Sequence, residues 1–274
     1  MAVLSPATLD EALDALAAHP EAHVLAGGTD FMVEVNFGHR RPDDVVALRR
    51  VDELRRWSVA ADTIRLGGGV TCTQLMDLDL ARHVPALAQA ARTVGSPQIR
   101  NAATIGGNLG TGSPAGDLLP VLAALDATIL LRSATASRRL SIHEFLVGPK
   151  RTALARGELV VEVVVPIARG PQEFLKVGVR NAMVIAIASI ALVVQDGAVA
   201  VAAGSVGPTV LRARDAEVWL SAHSDGESEA TAAEFGRRVA AEMRPIDDHR
   251  STAVYRRRAV EVMAARALRR VAAA

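Results

Sequence analysis

The segment that most constrains how this chain can fold runs from Asn101 to Pro120 and reads NAATIGGNLGTGSPAGDLLP. It contains five glycines and a single charged residue, Asp117. Glycine inside a regular helix or strand costs roughly 0.5–1 kcal/mol relative to alanine. We therefore expect half of the segment to lie outside helix and regular strand, and its backbone to approach another group closely.

A second glycine cluster, AGGTD (residues 26–30), follows one predicted strand and precedes a predicted helix. TIGGN (residues 104–108) lies in a similar context, with SPAGD opening a further helix. Such loops present backbone N–H groups and hydroxyls beside helix N-termini, an arrangement that binds anions. Two of them facing each other are suited to the two phosphates of a dinucleotide, although a single glycine turn is more often only a turn. A third cluster, Gly67 to Gly69, is expected to be a hairpin-end turn.

The remaining pattern predicts a chain of mixed helices and strands in two parts. GELVVEVVVP predicts a strand that stops at Pro166, and we place a domain boundary between Pro166 and Gln172, where glycine and proline cluster. Beyond it we expect three strands, two of them joined by a two-residue turn at Asp196-Gly197. The region from Leu211 to Val271 is then predicted to be helical, with Ser251 capping the last helix.

Composition excludes several classes of function. The 31 basic and 30 acidic residues give no electrostatic case for nucleic acid, and aromatic residues make up only 3% of the chain. The single cysteine, Cys72, cannot form a disulfide or hold an iron–sulfur cluster. We identify no metal-binding group, no nucleophile–base pair, no secretory signal and no apolar run of about 20 residues, so we expect a cytoplasmic chain without a membrane span.

The glycine loops and their flanks together resemble a known family. VLAGGTDFMVEVN, followed later by VGSPQIRNAATIGGNLGTGSPAGDLLPVLAALDA, resembles the FAD-binding (medium) subunit of the molybdenum hydroxylases, the xanthine dehydrogenase and carbon monoxide dehydrogenase family. FLKVGVRNAMVIAIASIAL and MRPIDDHRSTAVYRRRAVEVMAARAL are similar to that family's C-terminal domain. The likeness covers nearly the whole chain in order.

The resemblance implies an α+β fold with a flavin domain of the vanillyl-alcohol-oxidase type. Two α/β subdomains, residues 1–57 and 58–167, would hold FAD between them. Residues 168–274 would form a C-terminal domain with a small antiparallel sheet and helices.

The resemblance also implies the site. Asp117 would accept a hydrogen bond from a ribose or adenine donor, and Lys176 matches a basic position near the flavin. No catalytic side chain and no bound metal are expected. The residues that would wrap the FAD diphosphate and ribityl chain are Leu25, Ala26, Gly27, Gly28, Thr29 and Asp30 in the first loop, and Thr104, Ile105, Gly106, Gly107 and Asn108 in the second.

By the same resemblance, the chain is an oxidoreductase component that is inactive on the substrate by itself. Its partners would be a small subunit with 2Fe–2S clusters and a large molybdopterin subunit, assembled as a dimer of heterotrimers. Electrons would pass through FAD to NAD or another acceptor. Two alternatives remain open: a self-contained flavin oxidase of the related fold, and a non-catalytic assembly protein that has lost FAD.

Overall fold

The structure is a computed structural model, and it describes residues 2–223 and 228–274. Residues 224–227, inside the predicted C-terminal helical region, lie outside the described residues. The strands are β1 (Ala2–Leu4), β2 (His23–Leu25), β3 (Asp44–Ala47), β4 (Trp57–Ala60), β5 (Thr63–Gly67), β6 (Thr128–Arg132), β7 (Ser137–Ser141), β8 (Leu146–Gly148), β9 (Arg151–Thr152), β10 (Leu159–Pro166), β11 (Gln172–Val177), β12 (Ala188–Gln195), β13 (Ala198–Gly204) and β14 (Leu211–Arg212).

The α-helices alternate with these strands in the first part of the chain and follow them in the second. They are α1 (Leu9–Ala18), α2 (Phe31–Asn36), α3 (Cys72–Leu75), α4 (Leu78–Ala81), α5 (Pro85–Arg92), α6 (Pro97–Ala102), α7 (Ile105–Thr111), α8 (Leu119–Ala124), α9 (Ile142–Phe145), α10 (Arg214–Ser221), α11 (Glu229–Glu242) and α12 (Ala253–Ala272). Short 3₁₀ turns cover Leu48–Arg50 and Asp52–Arg55.

The first three strands form a small parallel sheet in the order β1-β3-β2. Helix α1 covers it with an apolar stripe of Leu9, Leu13 and Leu16, the spacing that places side chains on one helix face. The helix begins where the Thr8 hydroxyl accepts a hydrogen bond from the N–H of Glu11. Helix α2, by contrast, buries no residue.

The second sheet is antiparallel, in the order β4-β5-β10-β6-β7. Its central strand, β10, is the last of the five in the sequence, so the sheet closes only when the chain returns from β9. Helices α3 to α5 and α7 to α9 enclose the largest apolar core against this sheet, with Ile64, Leu66 and Val163 among its fully buried residues.

The third sheet is an antiparallel meander, β11-β12-β13-β14. Alternate residues of β12 enter different cores: Ile190 and Leu192 pack with α10 to α12, whereas Ala191 and Val193 join the core of the second sheet. The predicted turn at Asp196-Gly197 is confirmed, because β12 and β13 pair up to these residues and both have positive φ. The molecule is therefore an α+β part built on two sheets, followed by an antiparallel sheet with helices.

The glycine-rich segment is divided between helix and irregular backbone, as its composition predicts: α7 contains Gly106, Gly107 and Gly110, whereas residues 112–118 form turns. One expectation from the sequence is wrong in this region. SPAGD opens no helix, because α8 starts only at Leu119. A glycine is needed at position 106 for packing, since a Cβ there would lie 2.5 Å from the carbonyl oxygen of Gly68.

The cap of the last helix is also one residue later than predicted. The hydroxyl of Thr252, rather than that of Ser251, accepts from the N–H of Tyr255 and begins α12. Ser251 pairs through its backbone with Asp248 instead. The two residues are equally good caps by type, and the backbone path decides between them.

Candidate functional site

The first glycine loop connects β2 to α2 and presents unsatisfied backbone donors. Leu25 ends β2, Ala26 follows, and Gly28 has a φ of 73°, a conformation that favours glycine. Within residues 2–223 and 228–274, the N–H groups of Gly27, Gly28, Thr29 and Asp30 donate to no protein acceptor. Successive free N–H groups of this kind form a concavity that binds anions.

The second loop differs from the first, and the expectation that both present free amides is wrong. Ile105 donates its N–H to the carbonyl of Val70 at 2.9 Å, and Gly106 donates to that of Gly68 at 2.8 Å. The N–H of Gly107 is capped by the Thr104 hydroxyl at 3.0 Å, and the N–H of Asn108 donates to the Thr104 carbonyl at 2.9 Å. This loop therefore offers close backbone approach rather than free donors.

The two loops lie against each other, as the sequence predicted. A Cβ on Gly27 would lie 1.8 Å from the carbonyl oxygen of Ala102, at the end of α6. A Cβ on Gly107 would lie 4.0 Å from the Cβ of Ala26. The Thr111 hydroxyl, at the end of α7, donates to the carboxylate of Asp30 at 3.3 Å. Only glycine at position 27 allows this approach.

The acidic residue that follows the first loop is neutralised by neighbours. Glu34, on α2, pairs with Arg40 at 2.7 Å and with Lys150, in the turn between β8 and β9, at 3.2 Å. The hydrogen bond from Lys150, and then the charges of Arg40 and Lys150, hold the pKa of Glu34 below its ordinary value. The loop thus faces little net negative charge from its own helix.

Asp117 and Lys176, predicted separately, lie in direct contact. Lys176, on β11, donates to Oδ2 of Asp117 at 2.6 Å and to the carbonyl of Thr93 at 3.1 Å. Their side chains are only 9% and 7% exposed, respectively. Asp117 precedes α8, so the pair joins the part of the chain before Pro166 to the third sheet. The second carboxylate oxygen, Oδ1, is buried and has no partner among the described residues.

Burial controls the protonation of this region. It raises the pKa of Asp117 to about 6, although the neighbouring Lys176 favours the charged form. Burial, together with the charge of Asp117, raises the pKa of the Cys72 thiol to about 12. Cys72 is therefore a neutral thiol near neutral pH, without the thiolate that a nucleophile or metal ligand requires.

Gly67 to Gly69 have a packing role that their sequence did not predict. A Cβ on Gly68 would lie 2.1 Å from the carbonyl oxygen of Val160, while the carbonyl of Gly68 itself accepts from Gly106. This cluster is therefore the surface on which α7 packs. It is not the turn of a hairpin, because β4 and β5 are joined at residues 61–62 and Gly67 ends β5. The signal was present as three consecutive glycines, but sequence alone does not indicate what a glycine packs against.

The site as a whole fits an FAD. Four free N–H groups suit a diphosphate, and the orphaned, buried oxygens of Asp117 and Asn108 suit the hydroxyl and N–H donors of a nucleotide. A Cβ on Gly116 would lie 3.1 Å from the Asn108 amide, so the backbone beside Asp117 also approaches closely. Among the residues with assigned positions, no group of three or more His, Cys, Asp or Glu side chains could hold a metal ion. None of the described helices combines the length and apolar character that crossing a bilayer requires.

Comparison with known proteins agrees with this geometry. Residues 1–168 match the family described as the FAD binding domain in molybdopterin dehydrogenase, and residues 173–271 match the CO dehydrogenase flavoprotein C-terminal domain.

Individual relatives match over most of the chain. The nicotinate dehydrogenase FAD-subunit of Eubacterium barkeri is 36% identical over 230 residues, spanning 79% of this chain and 78% of that protein. The glyceraldehyde dehydrogenase medium chain of Sulfolobus acidocaldarius is 31% identical over 271 residues, spanning 97% of this chain and 96% of that one. A chain of quinoline 2-oxidoreductase from Pseudomonas putida 86 superposes with a TM-score of 0.91 at 27% identity, covering 99% of this chain and 96% of that chain.

A chain of carbon monoxide dehydrogenase from Hydrogenophaga pseudoflava also superposes with a TM-score of 0.91, at 26% identity, covering 100% of this chain and 97% of that chain. The family matches lie in the order that the glycine loops and the third sheet require. This chain therefore belongs to the FAD-binding medium subunits of the molybdenum hydroxylases, the family of xanthine dehydrogenase and carbon monoxide dehydrogenase.

Proposed function

We propose that this chain binds one FAD non-covalently between the AGGTD and TIGGN loops. The observation that carries the proposal is the contact between these loops, with the four free N–H groups of Gly27 to Asp30 at that contact. The diphosphate takes the N–H groups of the first loop, and Gly107, which faces that loop, lets the backbone of α7 approach it, while Gly106 packs α7 onto Gly68. No His or Cys lies in either loop to form a covalent flavin bond.

The remaining polar groups orient the cofactor. Oδ1 of Asp117 accepts a hydrogen bond from a ribose or adenine donor, and Lys176 holds Oδ2 of the same carboxylate so that Oδ1 faces the ligand. Leu25, Ala26, Thr104 and Asn108 complete the walls along the ribityl chain, whereas Ile105 contributes only its backbone, because its side chain is fully buried in the core. Bound FAD supplies the redox chemistry, because a flavin accepts electrons singly and releases them as a pair.

We further propose that the subunit is the electron outlet of its complex. Electrons arrive from 2Fe–2S clusters on a small partner subunit, which receives them from a molybdopterin site on a large partner subunit. They leave to NAD or another acceptor at this chain. The assembly is a dimer of heterotrimers, and the chain divides into a flavin domain of residues 1–167, with subdomains 1–57 and 58–167, and a C-terminal domain of residues 168–274.

A visible spectrum of the purified full-length chain tests cofactor binding. We expect flavin absorbance with one FAD per chain, and release of all flavin into the supernatant on acid precipitation. A colourless protein that takes up no added FAD would identify an assembly protein instead. Flavin retained by the precipitate would contradict the non-covalent part.

Co-expression with the neighbouring genes tests the electron-transfer role. A tag on this chain should co-purify molybdenum and iron, and the chain alone should oxidise no organic substrate. Rapid reduction of its flavin by a small alcohol, aldehyde or purine in metal-free protein would instead identify a self-contained oxidase.

A further inference from the structure

An arginine on the last helix is fully buried and is not used by the site described above. Arg256, in the first turn of α12, has a side chain that is 1% exposed. Its Nη1 donates to the carbonyl oxygens of Ile187 at 2.8 Å and of Ser205 at 2.6 Å, and its Nη2 donates to Asp248 at 2.7 Å. Arg250 also binds the Asp248 carboxylate at 2.7 Å.

One acceptor of Arg256 connects to the turn before Asp117. Ser205, which follows β13, has a φ of 62°, a conformation that non-glycine residues rarely adopt. Its N–H donates to the carbonyl of Pro114 at 2.7 Å, and its hydroxyl donates to the carbonyl of Ala186 at 3.1 Å. The surrounding bonds therefore hold Ser205 in a strained position that ties Arg256 to the 114–117 turn.

The other acceptor connects to Lys176. Ile187 donates its N–H to the carbonyl of Val177 at 2.8 Å, and Val177 follows Lys176 at the end of β11. Arg256 thus reaches both members of the ion pair, through Ser205 on the Asp117 side and through Ile187 on the Lys176 side. Each path crosses only one intervening backbone hydrogen bond.

We propose that Arg256, held by Asp248, is a positioning residue that fixes Asp117 and Lys176 relative to each other and so presents the free oxygen of Asp117 to the cofactor. Its effect on FAD rests on the function proposed above, whereas its effect on the ion pair does not. Stability alone does not account for Arg256, because buried ion pairs are often replaceable by apolar side chains without loss. The Nε of Arg256 is also buried without a partner among the described residues, and an unpaired buried donor lowers stability.

The test is a lysine NMR titration of the full-length chain without cofactor. Lys150 and Lys176 are its only lysines, so lysine-selective labelling gives two side-chain signals, and Lys150→Arg assigns them. The groups around Asp117 that could affect the reading are Lys176 from β11 and the Thr93 hydroxyl, which both lower its pKa. The thiol of Cys72 from α3 also senses the charge of Asp117, as well as that of Arg100 from α6. We expect the Lys176 signal to follow the protonation of Asp117, and Asp117→Asn to abolish that transition.

Arg256→Met should move the midpoint of this transition by more than about half a pH unit, since the two charges are no longer held at contact distance. The matched control is Arg212→Met. Arg212, on β14 of the third sheet, is a largely buried arginine whose side chain is 11% exposed, and it pairs with Glu217 and with Asp126 in the first part of the chain. Arg212→Met should lower the melting temperature without moving the midpoint of the Asp117 transition. An unchanged midpoint in Arg256→Met, or an equal shift in both variants, would overturn the proposal.

FAD titrations provide the second readout. Arg256→Met should weaken FAD binding at least tenfold and change its pH profile, whereas Arg212→Met should do neither. If the wild-type chain binds no FAD, the proposed function fails while the NMR titration still decides the positioning role. If Arg256→Met does not fold, Asp248→Asn replaces it. That variant keeps the arginine but loses its carboxylate partner, and the proposal then requires a shift of the midpoint in Asp248→Asn.

Discussion

At the scale of single residues, the contact between Asp117 and Lys176 matters most for the site. Two buried charges at 2.6 Å stabilise each other only if both stay ionised. Burial opposes this strongly enough to raise the pKa of the carboxyl to about 6. The charged and neutral forms of the carboxyl are therefore close in free energy near pH 6, which suits the ligand hydrogen bond that we propose for Asp117.

This pKa predicts how stability depends on pH. The carboxyl ionises near its ordinary value of 3.8 in the unfolded chain and near 6 in the native one. The protonated carboxyl therefore stabilises the folded chain below pH 4. Up to about 3 kcal/mol of this stabilisation is lost as the pH rises through 6. Urea unfolding of the FAD-free chain from pH 4 to 7 should show this loss relative to Asp117→Asn. Parallel stability curves for the two proteins would rule it out.

At the scale of elements, the glycines of α7 allow close packing, although their low helix propensity disfavours a helix. Helix α7 forms despite three glycines because Gly106 packs its backbone onto Gly68, and Gly107 faces the first loop. Tertiary contacts outweigh the loss of roughly 1 kcal/mol per glycine in a helix. The two loops are therefore held together by backbone contacts that tolerate no side chain.

Gly27→Ala tests this close approach. Its Cβ would collide with the carbonyl of Ala102, so the first loop must move away, and we expect FAD affinity to fall by more than tenfold in a titration of the FAD-free protein. The matched control is Gly38→Ala, in the turn after α2, where nothing lies within 4 Å of the new Cβ. Its φ of 71° makes alanine cost about 1 kcal/mol of stability, with FAD affinity unchanged. Equal affinities in both variants would contradict the loop geometry.

The start of α12 provides a second test at this scale. Thr252→Ala should cost about 1 kcal/mol of unfolding free energy, since its hydroxyl caps the N–H of Tyr255. Ser251→Ala should cost less, because the contacts of Ser251 with Asp248 use only its backbone. Thermal unfolding of the two variants compares them, and the reverse order would favour the cap predicted from sequence.

At the scale of the whole molecule, ion pairs join the part before Pro166 to the third sheet. Besides Asp117 and Lys176, Asp126 after α8 accepts from His143 at 3.0 Å and from Arg212 of β14. The hydrogen bond from His143, and then that from Arg212, lower the pKa of Asp126 to about 2. These contacts lie at the C-terminal end of α8, whereas Asp117 lies at its N-terminal end.

This lowered pKa predicts an effect at acidic pH. The stability from Asp126 is present above pH 4 and is lost as the pH falls towards 2, and its size is at most about 1 kcal/mol because the side chain is 53% exposed. Asp126→Asn, which tolerates the positive φ at this position, should therefore be less stable than wild type at pH 7 but equal near pH 2. Urea unfolding at both pH values measures this. The exposed pair of Asp62 and Arg169 is the control, and Asp62→Asn should change nothing.

Local patterns were sufficient to predict much of this molecule. Proline at 166 ends β10, Asp196-Gly197 turns β12 into β13, and apolar spacing gives α1, because each depends on interactions within a few residues. The family, and with it the cofactor, also followed from the sequence, since the paired glycine loops occur in a fixed order. The individual roles of the site residues stay predictions.

Only the tertiary structure determined which distant groups meet. β10 became the central strand of its sheet, Gly68 became the surface under α7, and Lys176 reached Asp117 across 59 positions of the chain. It also showed that the first loop keeps its N–H groups free while the second uses them internally. Burial, contact and hydrogen-bond satisfaction depend on groups brought together from far apart in the chain. The sequence therefore determined which residues could form the site, and packing determined which of them do so together.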